Sequence, residues 1–247
     1  MRSALSHRVD PNELKAGDHI YTWRTAYTHH GVYVGKNMVA HFIAPENKSG
    51  SVSSGRLLHS SHAFKLASCS KSAAGPSPAP ELSHLKSLEY YGSSTLNCSR
   101  CSLASDQNLF SCLSLPDCGF RLADSGVVIS CLDCFVGTGK SRMYRYGVTT
   151  AGYYCKVRGT CTTAQSDPPQ EVIHRAMYLL QNNIFGDYHL FRNNCEDFAL
   201  YCKTGLLIKG DSSTGCSGQT FWKPDLGLRH DVAKVEVEDM PSFRAEL

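Results

Sequence analysis

The sequence predicts an α+β fold, an antiparallel sheet packed on helices and interrupted by a long insert rich in Ser and Cys. Three observations predict it. Short runs of β-formers separated by turn residues fill the first 45 positions, two capped helical patterns lie between 166 and 205, and serine is concentrated between these regions. Residues 49–125 hold 20 Ser in 77 positions, whereas the other 170 positions hold 9. The insert also contains Gly75-Pro76-Ser77-Pro78-Ala79-Pro80 and keeps no period of 2 or 3.6, so it is expected to be largely disordered. The compact part is therefore assembled from 8–48 and 126–208 as one discontinuous domain, followed by an irregular tail at 209–247.

Taken in order, Ala16-Gly17-Asp18 is turn chemistry and leads into His19-Ile20-Tyr21-Thr22-Trp23, a run of β-formers. His29 to Gly35 alternates around Val32 and Val34, and Met38 to Ile43 reads as a third strand. Lys36-Asn37 between the last two suits a tight hairpin. Beyond the insert, Gly126 to Phe135 and Met143 to Val157 are expected to be strand-rich. Ser166-Asp167-Pro168-Pro169 supplies a cap and first-turn prolines for a helix over Gln170 to Asn182. Its apolar face would hold Val172, Ile173, Ala176, Leu179 and Leu180. A second helix starts near Asn194 and stops at Gly205, a residue suited to a left-handed cap. In the tail, Val232 to Val237 reads as a strand or short helix.

The chain has 247 residues with 42% hydrophobic and 19% charged, enough apolar material for a core. Lys+Arg 25 against Asp+Glu 22 gives a net charge of +3, too small to mark a nucleic-acid partner. No stretch approaches 18 consecutive apolar residues, and Met1 to Leu14 has no apolar core. These features predict a cytoplasmic protein without a membrane span. Twelve Cys in a reducing compartment are expected to be free, metal-bound or catalytic, and the sequons at Asn47 and Asn97 carry no weight there.

Cys195 falls at the N-terminus of the second helix, after Asn193-Asn194 and before Glu196-Asp197. Unpaired N–H groups and the helix dipole favour a thiolate at that position, and a nearby imidazole lowers the thiol pKa further. A cysteine nucleophile needs a base, and His29 and His41 lie 12 positions apart on neighbouring strands. A structural cysteine with two ordinary strand histidines fits the same residues.

Three strings in order resemble the lecithin:retinol acyltransferase-like family: Thr28-His29-His30-Gly31-Val32-Tyr33-Val34-Gly35, Val39-Ala40-His41-Phe42, and Asn193-Asn194-Cys195-Glu196-Asp197-Phe198-Ala199. That family includes the H-Ras-like suppressor phospholipase/acyltransferases and belongs to the circularly permuted papain-like thiol hydrolases. The resemblance is closest to plant NC-domain proteins and spans Arg8 to Phe42 and Gly126 to Leu207, about half the chain. It implies Cys195 as nucleophile, His29 as general base and His41 as the residue that orients His29. His30 is read as packing, with a base role as the alternative. The implied activity is a thiol-dependent acyltransferase or hydrolase acting on a lipid-like ester through an acyl-thioester, with no catalytic cofactor. Its implied partners are an acyl-ester substrate and a peripheral membrane surface. A catalytically idle scaffold and a thiol peptidase or amidase are the rival readings. Asn-Cys-Glu-Asp replaces the family's usual Asn-Cys-Glu-His, as in its plant members, and the apolar stretch that relatives carry before the C-terminus is missing.

Cys131-Leu132-Asp133-Cys134 has the two-residue spacing of a zinc knuckle. The resemblance implies a second pair upstream, which supports a structural Zn²⁺ on Cys112, Cys118, Cys131 and Cys134. Cys98 and Cys101 are alternative donors, and unliganded thiols or disulfide and redox chemistry are the alternatives to metal. Such a site is expected to use elements different from those of Cys195. Tyr21, Trp23, Tyr33 and Phe42 are expected in the core, with Cys155, Cys161 and Cys202 buried or half-buried. His174 and His189 are read as surface or capping residues, Lys203 as a dipole partner at a helix end, and His19 as a structural hydrogen-bonder.

Overall fold

A computed structural model describes residues 8–25, 27–44, 117–209 and 224–245. Its centre is a five-stranded antiparallel sheet in the order β4-β3-β2-β1-β5, formed by β1 (Asp18–Trp23), β2 (Thr28–Gly35), β3 (Met38–Phe42), β4 (Val127–Cys131) and β5 (Arg142–Met143). The three strands expected in the first 45 residues are present. Lys36 and Asn37 take φ of 49° and 61°, the paired left-handed conformation whose twist matches a two-residue hairpin.

Helices cover one face of the sheet. α3 (Pro169–Gln181) and α4 (Cys195–Thr204) bury Val172, Ala176, Leu179, Leu180, Phe198 and Ala199 against Val32, Val34, Ala40 and Phe42. On the opposite face, Leu132 and Phe135 of α1 (Leu132–Val136) pack against Ile20 and Val39. α4 has the termini read from its sequence: Asn194 caps it in a reciprocal box with Asp197, and Gly205 ends it at φ 67°. No described helix is long and apolar enough to cross a membrane.

Several expectations are corrected. The strand begun at Val127 ends at Cys131, whose sulfur accepts the Cys134 N–H and caps α1, so Leu132 to Phe135 is helical. Of Met143 to Val157 only the edge of β5 is strand. Thr149 caps the short α2 (Thr150–Tyr154), accepting from the Gly152 N–H. Pro168 rather than Ser166 or Asp167 occupies the cap of α3, and no side chain caps that end. Asp167 is instead paired with Arg175 and Lys234. Within the tail read as irregular, the segment expected as a strand or short helix supplies β7 (Val232–Lys234), which pairs with β6 (Leu206–Ile208), while Val235, Val237 and Met240, the first residue of α5 (Met240–Ala245), join the main core.

Trp23 is 43% exposed, unlike the buried Tyr21 and Phe42, and Tyr33 is half-buried. Cys161 and Cys202 are buried as expected, but Cys155 is exposed. His174 and His189 are exposed, while His19 is buried and hydrogen-bonded to Tyr146 and His30. Lys203 is buried and donates to the Gly17 carbonyl at 2.9 Å, tying α4 to the start of β1. Most of the insert, residues 49–116, lies outside the described residues, and so do Cys98, Cys101 and Cys112.

Candidate active site

The segment before α4 is locked by two asparagine side chains. The Asn193 amide donates to the Phe185 and Asp187 carbonyls, both at 3.0 Å. Asn194 donates to Leu190 O at 2.7 Å and accepts from the N–H groups of Glu196 and Asp197. These bonds fix the turn that places Cys195 at the first position of α4. The residue is 1% exposed.

Its thiol meets the edge of β2. β3 pairs with β2 only from Gly31 onward, which leaves the first residues of β2 on that side to α4. The Cys195 Sγ donates to the Thr28 carbonyl at 3.7 Å, and the His30 N–H is directed at the sulfur. The sulfur therefore contacts the main chain on both sides of His29.

The ring of His29 joins His41: Nε2 of His29 lies 3.0 Å from Nδ1 of His41, with the rings edge to face. His41 continues through its Nε2 to Ser130 Oγ on β4, also at 3.0 Å. Among the described residues no hydrogen bond reaches Nδ1 of His29. The Phe135 ring lies against both imidazoles, with centroids 5.1 Å from His29 and 5.3 Å from His41. It can do so because residue 31 is glycine; a Cβ there would stand 2.9 Å from the Phe135 ring edge. Arg24 fixes the other end of α1 by donating to the carbonyls of Phe135 and Val136 at 2.7 and 3.0 Å.

The other histidine of the motif faces the opposite way. His30 is fully buried and bridges Thr28 Oγ1 and His19, and His19 continues to the Tyr146 hydroxyl. This chain engages both ring nitrogens of His30 and holds the strand segment whose carbonyl meets the thiol.

Electrostatics departs from the sequence expectation of a lowered thiol pKa. Burial pushes the Cys195 thiol up to about 12, reinforced by the Glu196 and Asp197 carboxylates; the His30 N–H offsets this only in part. Burial pushes His29 well below its ordinary value, with His41 and the Arg24 guanidinium adding to the effect. His41 is lowered to about 3 by burial first and by Arg24 second. Desolvation outweighs the helix terminus here and favours the neutral forms of the thiol and of both imidazoles.

The structure thus pairs the His29 and His41 rings and sets the Cys195 sulfur against the main chain of Thr28 and His30. Sequence reasoning missed Ser130, Phe135 and Arg24. Ser130 was the readable one, as the polar residue of Val127-Val128-Ile129-Ser130 on the strand beside His41. Of the thiols expected to hold zinc, Cys118, Cys131 and Cys134 converge to within 4.8 Å of one another. They lie on the turn at 117–119, β4 and α1, elements different from the β2, β3 and α4 that carry His29, His41 and Cys195, although their neighbours Ser130 and Phe135 contact the histidine pair.

Comparison with known proteins identifies relatives. The family model described as lecithin retinol acyltransferase matches residues 12–208. Protein LEAD-SENSITIVE 1 of Arabidopsis thaliana is 36% identical, over 96% of this chain and 89% of its own length. No solved structure matches the chain.

Proposed function

The chain belongs to the lecithin retinol acyltransferase family, and from that premise we propose that it is a thiol-dependent acyltransferase or hydrolase of lipid-like esters, working on a permuted papain-like domain in the cytoplasm. The observation that carries this reading is the position of the Cys195 sulfur against the main chain on both sides of His29, whose ring is already bonded to His41.

One set of tautomers gives this arrangement a base. If His41 donates from Nε2 to Ser130, its Nδ1 accepts from Nε2–H of His29, and the lone pair of His29 falls on Nδ1. Nδ1 then takes the Cys195 proton as the sulfur attacks the ester carbonyl. His41 supports the imidazolium that forms, and Ser130 holds His41. Collapse of the tetrahedral intermediate releases the alcohol with a proton from His29 and leaves an acyl-thioester. Water or an acceptor alcohol or amine, deprotonated by the same nitrogen, then takes the acyl group. Because thiol and imidazole rest neutral, proton transfer accompanies attack instead of preceding it.

Exposed apolar side chains on the two segments leading into the site favour a lipid-like substrate and a peripheral membrane surface as partners. Trp23 precedes Arg24 and is 43% exposed, and Leu190 and Phe191, in the segment before Asn194, are 43% and 58% exposed. A second reading, a catalytically idle module of the same fold, is favoured by the near-complete burial of Cys195.

Short-chain phospholipid and acyl-ester substrates, quenched in acid and followed by intact mass and peptide mapping, separate the two. One acyl group on Cys195, lost on mild hydroxylamine treatment and absent in Cys195→Ser, supports the enzyme. Absence of an adduct and of thiol-dependent turnover on the whole panel leaves the idle module. Turnover of peptides but not esters replaces the substrate class while keeping the residues.

A further inference from the structure

Cys118, Cys131 and Cys134 form a cluster outside the Cys195 site, with all three sulfurs within 4.8 Å of one another. Each comes from a different local structure. Cys118 sits in the turn at 117–119, which is fixed to β4 by Gly119 N–H to Ile129 O at 2.7 Å and Ile129 N–H to Phe120 O at 3.0 Å. Cys131 ends β4, and Cys134 lies in α1. Backbone donors point at the sulfurs: the Cys131 N–H reaches Cys118 Sγ at 3.2 Å, and the Cys134 N–H reaches Cys131 Sγ at 3.4 Å. Cys131 is buried, whereas Cys118 and Cys134 are half-buried, so one side of the cluster opens to solvent.

We infer that these three cysteines bind one thiophilic divalent cation, Zn²⁺ by preference, and supply three thiolate ligands to it. Thiolates on a tetrahedral Zn²⁺ with bonds of 2.3 Å stand about 3.8 Å apart, so closing on the ion asks for small movements of side chains already gathered. Binding exchanges up to three S–H protons for three metal–sulfur bonds, with no change of oxidation state.

The position of the ion gives it a second role. Two of its three ligands are the residue after Ser130 and the residue before Phe135; Ser130 holds His41, and Phe135 covers both imidazoles. Loading clamps the β4–α1 junction and fixes the wall of the histidine pair from behind, without contact with a reacting atom.

Reduced, metal-stripped full-length protein is titrated with Zn²⁺ and, for its thiolate charge-transfer band, with Cd²⁺. Binding is read by native mass spectrometry, proton release and hydrogen exchange of residues 127–136. The expected result is one tightly held ion per chain, protection of Cys118, Cys131 and Cys134 from alkylation, and slower exchange over 127–136. Cys118→Ser and Cys134→Ser are expected to lose the ion, while Cys155→Ser and the double variant Cys98→Ser, Cys101→Ser keep it. Should either ligand variant fail to fold, alkylation footprinting of the wild-type chain with and without Zn²⁺ gives the same discrimination. Unchanged alkylation of the three thiols at saturating Zn²⁺, an ion retained by both ligand variants, or a native disulfide within the cluster overturns the inference. None of these readouts depends on ester turnover, so failure here leaves the acyl-enzyme reading standing, and the reverse holds as well.

Discussion

Nε2 of His29 and Nδ1 of His41 face each other at 3.0 Å, and a single proton between them decides which nitrogen of His29 remains basic. A proton carried by His29 leaves Nδ1 as acceptor, while a proton carried by His41 leaves His29 protonated at Nδ1 and unable to take one from the thiol. The roles predict unequal losses. Cys195→Ser is expected to abolish the acyl-enzyme, and His29→Ala to cut turnover by about 10²–10⁴-fold. His41→Ala orients without accepting the substrate proton and should cost less, about 10–10²-fold, since misplacement of a reacting group is its only route to a rate effect. Single-turnover acylation measured by quench and mass spectrometry checks the order. Equal, small effects from all three would favour the idle module.

Gly31 tests whether the aromatic wall matters. A Cβ at that position would stand 2.6 Å from Val39 Cγ1, 2.9 Å from the Phe135 ring and 3.0 Å from the Ala40 carbonyl, and two of these three belong to the packed β3. Gly31→Ala is therefore expected to destabilise by ~1–3 kcal/mol through overpacking. Because Phe135 touches both imidazoles, the acylation rate of the folded fraction should fall as well. Urea denaturation gives the first number and acylation normalised to folded protein gives the second. A stable variant with unchanged acylation would show that the ring is only filling space.

The elements legible in the sequence were those whose local chemistry and tertiary packing agree. Lys36-Asn37 supplied a turn and α4 carried both of its stops, so β2, β3 and the position of Cys195 followed directly. The segment from Cys131 was misread because Leu132, Phe135 and Val136 are apolar in either structure, and a cysteine sulfur is an unusual helix cap. In the tail the strand at Val232 was readable, but the burial of Val235, Val237 and Met240 was not, because distant partners supply it and no local pattern announces them. In the site, the pairing of histidines at 12 residues was readable from strand alternation. The protonation state was not, since burial in the folded chain shifts it first and charged neighbours second.

Arg175 is a buried cation that the helical pattern of α3 conceals among its apolar positions. It is 1% exposed and donates from Nη1 to Asp167 at 2.7 Å and to the Cys202 carbonyl at 3.2 Å. Removal of Asp167 leaves a charge in the core with one neutral acceptor in its place. Asp167→Ala is expected to cost toward the low end of ~3–5 kcal/mol, the range for breaking a buried pair. Arg175→Met, of similar length and without charge, should cost less than Asp167→Ala. Chemical denaturation of the two variants checks the ranking, and the reverse order would mean that the cation contributes mainly through packing of its stem.

Acid should unfold the protein through its histidines. Burial lowers His30 and His41 to about 3 and holds His19 and His29 well below the ordinary value. In the unfolded chain the same groups take up protons near ~6.5. Between these values the unfolded state binds more protons than the folded one, so stability rises with pH across the window. The contribution is complete above ~6.5 and is lost progressively as pH falls toward 3, at up to ~1.4 kcal/mol per pH unit for each histidine. Melting temperature is expected to be flat from pH 7 to 8 and to fall steeply below 6, and replacing His30 by Phe should flatten part of that slope. The same shifts shape reactivity. The acid limb of acylation should lie below pH 6.5, because His29 stays neutral there, and direct alkylation of Cys195 by iodoacetamide should keep rising past pH 9, because the thiol titrates near 12. An alkylation midpoint at or below pH 7 would show that the resting site is a thiolate–imidazolium pair, and the neutral mechanism would fall.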